Sequence, residues 1–357
     1  MTIGRVLILA YVLRQLLLAL LFALGGLSVI VFPTVAVQAV NKLGAISGDL
    51  VASYLPLVVA ELVPYLLPMA FLLAVVATYG RLAAERELIA IKMAGVHPAR
   101  LALPGLLVAL PLVLATDHLL AEVAPELKYQ QRNVLRMADV ERFLNGMQSR
   151  NVLTFGKNVL KSESTKGSVK TNVQLDMELD GELVKVVASE ARLSVEGELL
   201  VVRMQDARLL TENDTIDNAS PAYSWSLASL FAQAPKDRSR AKYQTTPELQ
   251  LQQAQPGLER GKRDEIRYEI HRRHALSATY LLFLLLGVPT GLALRSSTHL
   301  GAFTGAIGYA FLYYVLAMRL GKVLAEAGAV PPVLAAWATN GLFLVVGGVL
   351  FVRALWR

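Results

Sequence analysis

The chain has 357 residues, 54% of them hydrophobic and 18% charged, with a mean hydropathy of +0.46, a net charge of +7 and no cysteine. An apolar fraction above the roughly 45–50% of ordinary soluble domains, with charge below the usual quarter, excludes a disordered or collagen-like chain. Without cysteine there is no disulfide framework, no thiolate metal site and no Cys nucleophile.

The charge is unevenly placed. Residues 1–121 hold 7 Lys+Arg and 5 Asp+Glu, residues 274–357 hold 5 and 1, and residues 122–273 hold 23 and 22. A polar, nearly neutral block is therefore flanked by two apolar arms. The expected domains are 1–121, 122–273 and 274–357, the first and last forming a membrane part into which the middle is inserted. The block carries only one of the seven excess charges, so no basic nucleic-acid footprint exists.

In chain order, the first arm has three apolar stretches of about 20 residues, the length a bilayer demands: Leu16–Val37, Leu55–Tyr79 and Leu101–Leu120. The first is too long for a signal-peptide core and lacks a small-residue cleavage site at the right distance. A short interfacial helix, Ile3–Leu13, is expected ahead of it. The second arm adds Ala275–Leu294, Gly301–Ala325 and Val333–Val352. Short-loop basic residues mark the cytoplasmic side. With both termini inside, Arg5, Arg14, Arg81, Arg86, Lys92, Arg100, Arg295, Arg353 and Arg357 all lie inside, which leaves the middle block outside.

Between the second and third spans runs Gly80-Arg-Leu-Ala-Ala-Glu-Arg-Glu-Leu-Ile-Ala-Ile-Lys-Met-Ala-Gly95-Val-His-Pro98. Leu82, Arg86, Ile89 and Met93 share one helical face, Gly95 suits a helix end and Pro98 blocks continuation. An amphipathic helix over about 82–95 is expected. Its pattern fits equally a helix that docks on a soluble partner and one that merely connects two spans.

In the middle block, Glu122–Met147 continues the third span as a helix. Val169, Thr171, Val173, Leu175, Met177 and Leu179 alternate with polar residues at the period of a half-buried strand. Asp180-Gly181 and Glu196-Gly197 supply hairpin turns. An antiparallel sandwich or open roll follows. Val173, Leu175 and Met177 read as ordinary core, or as the lining of a groove for acyl chains. Residues 244–261 read as a Gln- and Pro-rich linker, and Leu258–Arg273 as a charged helix entering the fourth span.

Enzyme signatures are missing: there is no phosphate loop, no H-E-x-x-H and no G-x-S-x-G. His271 and His274 stand at i,i+3, but no third ligand is evident, so a hydrated helix end is the stronger reading. No catalytic residue, cofactor or metal is implied. The basic residues nearest the outer membrane face are Lys42, Arg319 and Lys322. They either snorkel to the interface, pair with Glu61, Asp117 and Glu326, or contact an anionic lipid substrate.

The segment Glu85-Arg-Glu87-Leu-Ile-Ala-Ile-Lys-Met-Ala-Gly95, preceded by Leu67-Pro68-Met69, resembles the cytoplasmic coupling helix of the lipopolysaccharide-export permeases, the LptF/LptG or YjgP/YjgQ family. Tyr268-Glu-Ile-His-Arg-Arg273, Leu286-Gly-Val-Pro-Thr-Gly-Leu292, Tyr313-Tyr314 and Gly328-Ala-Val-Pro-Pro332 with Trp337 follow that family's C-terminal pattern in order. The resemblance implies an inner-membrane α-helical protein with six transmembrane helices (3+3) and an inserted periplasmic β-jellyroll-like domain. It also implies a transporter subunit without enzymatic activity of its own. Its partners would be a second permease subunit, a cytoplasmic ATPase dimer, a bitopic jellyroll protein, a periplasmic bridge protein and lipopolysaccharide. Coupling to the ATPase would fall to Glu87, with Glu85, Arg86 and Gly95 beside it. The competing expectation is a membrane-anchored envelope scaffold or binding protein without transport.

Overall fold

A computed structural model describes residues 2–43, 48–93, 98–155, 158–179, 182–196, 199–210, 215–218, 221–226, 240–293, 299–326 and 330–356. The chain divides into two compact units. The first comprises residues 1–36, 57–128 and 241–357, and the second residues 37–56 and 129–240. Residues 241–273, read by composition as part of the insertion, thus belong to the first unit, and residues 37–56 to the second.

Among the described residues, six helices are long and apolar enough to cross a membrane: Val6–Leu43, Gly48–Ala84, Arg100–Met147, Arg260–Ala293, Thr304–Ala325 and Pro332–Ala354. The first helix, α1 (Thr2–Leu43), is continuous. The separate interfacial helix expected over Ile3–Leu13 does not exist, because Val6–Leu13 offers neither a cap nor a breaker and the helix simply propagates. Helix α2 (Gly48–Ala84) leads into the short α3 (Glu87–Met93). A 3₁₀ turn, Pro98–Ala102, opens α4 (Leu103–His118), and a π-helical turn, Leu119–Val123, joins it to α5 (Ala124–Met147).

After the strands come α6 (Thr246–Gln253), α7 (Arg260–Ser277), α8 (Thr279–Ala293), α9 (His299–Glu326) and α10 (Pro332–Trp356). Helix α6 lies in the stretch expected to be linker. Its N-terminus is closed by a capping box in which the Glu248 amide donates to Thr245 Oγ1 and the Thr245 amide donates to the Glu248 carboxylate at 2.8 Å. Two otherwise orphaned amides are thereby satisfied, and a Pro sits in the first turn, where its missing N–H costs nothing.

The first unit is built around α8. Of the apolar window of the Arg260–Ala293 helix, 72% is buried, against 11% for that of α1, so α8 is central and α1 peripheral. One core gathers Val12, Leu16 and Leu20 of α1, Ala70–Val76 of α2, Val108 of α4 and Phe283 and Leu286 of α8. Close approach is achieved with glycine. A Cβ on Gly287 would meet Val75 Cγ1 at 2.7 Å, and one on Gly291 would meet Gly80 N and Val76 O at 2.9 Å. This is the small-x-x-x-small packing that lets membrane helices touch backbone to backbone.

Thr279, Tyr313 and Asn340, all buried, satisfy one another in this core, whereas the buried hydroxyl of Thr78 has no partner among the described residues. Thr279 Oγ1 donates to Tyr313 Oη (2.8 Å), which donates to Asn340 Oδ1 (2.8 Å), whose amide donates to the Ala275 carbonyl (2.7 Å). Leaving any one of these unpaired in an apolar interior would cost a few kcal/mol.

The second unit contains an antiparallel sheet of nine strands: β1 (Val152–Phe155), β2 (Asn158–Lys161), β3 (Ser164–Lys166), β4 (Val169–Leu179), β5 (Glu182–Glu196), β6 (Leu199–Gln205), β7 (Ala207–Leu210), β8 (Thr215–Asn218) and β9 (Ala222–Ser226). Leu179 pairs with Glu182, and the turn residues expected between them, Asp180-Gly181, lie outside the described residues. At the next hairpin Glu196 is itself paired, opposite Leu199, so it belongs to β5 and not to the turn expected at Glu196-Gly197; Gly197 lies outside the described residues.

The alternation read in β4 holds for Val173, Leu175 and Met177, all buried, and fails upstream of them. Asn172 has φ +49°, which breaks the regular pleat, and Lys170 is turned into the interior instead of solvent. The irregularity continues across the sheet as a crease. Opposite Asn172, β2 and β3 are separate strands along β4, and Asn172 donates a hydrogen bond to Glu163 between them. On the other side, β6 and β7 are separate strands along β5, divided at Asp206 (φ +51°), whose carboxylate accepts from Ser189 at 3.1 Å. Asn and Asp are the non-glycine residues that best tolerate such a backbone. The buried side chains of both halves form one core, closed by Phe143 and Met147 from the end of α5.

Candidate functional site

Helix α2 stops at Arg86. Its φ of +60° is left-handed, the conformation that ends an α-helix, and it costs a side-chain-bearing residue roughly 1–2 kcal/mol. The Arg86 carbonyl then accepts from the amides of Ile89 (3.1 Å) and Ala90 (3.5 Å), so the same residue opens α3. One amphipathic helix over 82–95 was expected. A turn at Glu85-Arg86 divides it, and Leu82 falls in α2, fully buried.

Glu87 is the first residue of α3, where the exposed amides favour a negative charge. Leu88 and Ile91 face the core, while Ile89 and Met93 face outward, Met93 being 84% exposed. Glu85 is paired with Arg81 one turn back (Oε1 to Nε, 3.0 Å). Glu87 Oε1 instead accepts from the phenol of Tyr11 at 3.0 Å. Sequence reasoning gave no sign of this contact, since 76 residues separate the pair. Gly95 lies outside the described residues.

The loop carrying α3 is strapped at both ends. The Tyr79 hydroxyl, at the end of α2, donates to the carbonyl of Leu101, at the start of α4. From there α4 and its continuation are tied to α7 and α8 along their length. Thr116 and Tyr280 share a hydrogen bond of 2.7 Å, and Asp117 Oδ1 accepts from Ser277 Oγ (2.9 Å) and lies 2.8 Å from His274 Nδ1. The Arg273 guanidinium reaches the Ala121 carbonyl in the π-helical turn at 3.4 Å.

Arg273 is the most heavily engaged side chain here. It is almost wholly buried, pairs with Glu269 (3.1 Å), and donates to Thr246 Oγ1 (3.0 Å) and to the carbonyls of Ala241 (3.0 Å) and Gln244 (2.9 Å). Glu269 also receives a two-pronged bond from Arg272, 2.8 Å on each oxygen. A planar five-donor fork suits this task, which a lysine ammonium cannot copy.

Two of the acidic residues considered as partners for Lys42, Arg319 and Lys322 have basic partners of their own. Glu61 pairs with Lys128 at 3.6 Å and Asp117 with His274 at 2.8 Å. Lys42 lies in the last turn of α1 and is exposed, with its carbonyl accepting from Arg142. Arg319 is an exposed residue of α9; the side chains of Lys322 and Glu326 lie outside the described residues. Lys42 falls in the second unit and Arg319 in the first. His271 and His274 stack edge to face at 6.4 Å, and no cluster of three metal-binding side chains occurs among the described residues.

The family model described as lipopolysaccharide export system permease LptF/LptG matches residues 10–353. The chain belongs to the LptF/LptG family. It is accordingly a lipopolysaccharide-export permease of the multi-pass inner-membrane type, consistent with its six apolar helices. Comparison with curated proteins finds no match. Within the LptF/LptG frame, α3 occupies the segment whose residues carried the resemblance to a coupling helix, and Glu87, Glu85 and Arg86 sit on one turn at its start.

Proposed function

We propose that this chain is one permease subunit of an ATP-driven lipopolysaccharide extractor. It would take lipopolysaccharide from the outer leaflet of the inner membrane and pass it to a periplasmic β-jellyroll bridge. The observation that carries the reading is α3: a short helix between two spans, with the outward apolar residues Ile89 and Met93 beside the carboxylate of Glu87. Apolar anchors at helical spacing next to one charge suit docking into a groove of a soluble protein with a basic rim.

In this mechanism an ATPase dimer holds α3, and nucleotide binding and hydrolysis shift it. Strapped through Tyr79 and Leu101 and packed through Gly80 and Gly291, α2, α4 and α8 move with it as a block. Together with a second permease subunit this narrows a lipid-filled cavity. The creased sheet, on the periplasmic side, receives the acyl chains and hands them onward with a bitopic jellyroll protein. At least one of Lys42, Arg319 and Lys322 contacts substrate phosphate; charge reversal at Arg319 without loss of export removes the assignment of Arg319.

Glu87→Lys tests the reading. It places a cation against the basic rim, so export is lost while the protein still inserts in the membrane. Normal export by this variant overturns the coupling role. The scaffold alternative is separated by copurification: a transporter subunit brings down a soluble ATPase, and a scaffold does not.

A further inference from the structure

We propose that Tyr11 is a positioning residue that fixes the carboxylate of Glu87 and makes the first membrane helix move with α3, an inference that rests on the coupling role of α3. Tyr11 is the only polar side chain from Val6 to Leu13. Its hydroxyl meets Glu87 Oε1 at 3.0 Å.

A carboxylate accepts at both oxygens, on about four lone-pair sites. The phenol therefore occupies one oxygen and leaves Oε2 for a guanidinium or ammonium of a partner. A neutral phenol also leaves the charge of Glu87 intact. By contrast Glu85, two residues earlier, is already engaged by the Arg81 cation. Of the two acidic residues in this turn, Tyr11 thus holds the one whose charge remains available.

The second consequence is mechanical. Beside Tyr11, α1 adheres to the core through Val12, Leu16 and Leu20, an apolar stripe that resists separation and permits sliding. Tyr11 adds a directional bond next to that stripe. It joins α1 to the residue at which α3 begins, just past the left-handed Arg86. A displacement of α3 is thereby delivered to the first span directly, as well as through α2 and α4.

Tyr11→Phe removes one oxygen from a half-exposed side chain and keeps the ring. The test compares it with Glu87→Gln and with the double variant, using the full chain in phospholipid nanodiscs and in the complex with its copurifying ATPase. Amide exchange of residues 88–93 in nanodiscs is expected to rise about two- to tenfold in Tyr11→Phe, the range that one ordinary hydrogen bond supplies. No further rise is expected when Glu87→Gln is added. In the complex, Tyr11→Phe retains ATP turnover but exports less per ATP consumed.

Unchanged exchange in Tyr11→Phe, or a further rise when Glu87→Gln is added to it, overturns the link. Loss of export in Glu87→Lys then still upholds the coupling role of α3. Normal export in Glu87→Lys defeats the coupling reading, and the exchange measurement judges the Tyr11 bond separately.

Discussion

Gly291 lies against the backbone of Gly80 so closely that a Cβ on it would stand 2.9 Å from the Gly80 nitrogen, 2.9 Å from the Val76 carbonyl and 3.0 Å from Tyr79 Cβ. Backbone atoms cannot swing aside as a side chain can. Gly291→Ala must push α2 and α8 apart, at a cost of about 1–3 kcal/mol. Gly105→Ala meets an even shorter contact, 2.3 Å, but with the Cδ1 methyl of Leu284, which can rotate away. Thermal midpoints of the purified chain in detergent should therefore fall clearly for Gly291→Ala and little for Gly105→Ala. The reverse order would mean that the α2–α8 crossing yields more readily than its backbone contacts imply.

Arg86 makes a turn that glycine would make without strain. Arg86→Gly should stabilise the chain by about 0.5–1 kcal/mol, the relief of the left-handed backbone less the added freedom of glycine when unfolded. Arg86→Val should destabilise it, since a β-branched residue fits this backbone worst. Paired thermal midpoints give the sign. A lower midpoint for the glycine variant would show that the arginine side chain contributes more than its backbone costs.

Arg273→Lys should behave almost as a deletion. One ammonium cannot reach the Glu269 carboxylate, Thr246 Oγ1 and the carbonyls of Ala121, Ala241 and Gln244 together. Removing one member of a buried ion pair costs about 3–5 kcal/mol. Glu269 retains its bidentate bond to Arg272, which places the loss near the lower end. Limited proteolysis at residues 241–246 should accelerate in parallel, and equal protection in the two proteins would contradict the clamp.

Lys170 gives the second unit a pH dependence. Burial holds its ammonium below the ordinary lysine range; the acceptors it finds are the Arg150 carbonyl (2.6 Å) and Thr165 Oγ1 (3.0 Å). With the folded value lowered, the unfolded chain binds the proton more tightly. The penalty is complete below the lowered value and disappears above the ordinary one, so stability rises with pH between the two. As pH is raised into the ordinary lysine range the midpoint of the wild type should climb relative to that of Lys170→Met. Parallel curves would remove the buried charge from the account.

The parts of the fold that follow from composition or from a short repeating pattern were legible in the sequence. Six apolar runs gave six helices, and Val173, Leu175 and Met177 announced a strand. What escaped depends on single residues acting out of pattern. Asn172 reverses the face of Lys170, and nothing in an alternating string marks where the alternation breaks. Arg86 ends a helix without being glycine, which hides the boundary between α2 and α3. The capping box of α6 was present as Thr245-Thr-Pro-Glu248 and was outweighed by the Gln-rich stretch around it. At the candidate site, Glu87 was legible through the resemblance of its segment to a coupling helix. Its partner Tyr11 was not, because a contact between residues distant in sequence leaves no local signature.

Arg273 also bears on how the insertion is tolerated. Its guanidinium holds Ala121, shortly before the chain departs into the second unit, and Ala241, where the chain comes back. The first unit thus fixes the spacing of the two chain segments that flank residues 129–240. Any insert whose ends match that spacing can be carried there, so the sheet is free to drift in sequence, or to be exchanged for another by grafting, without rebuilding the helices of the first unit.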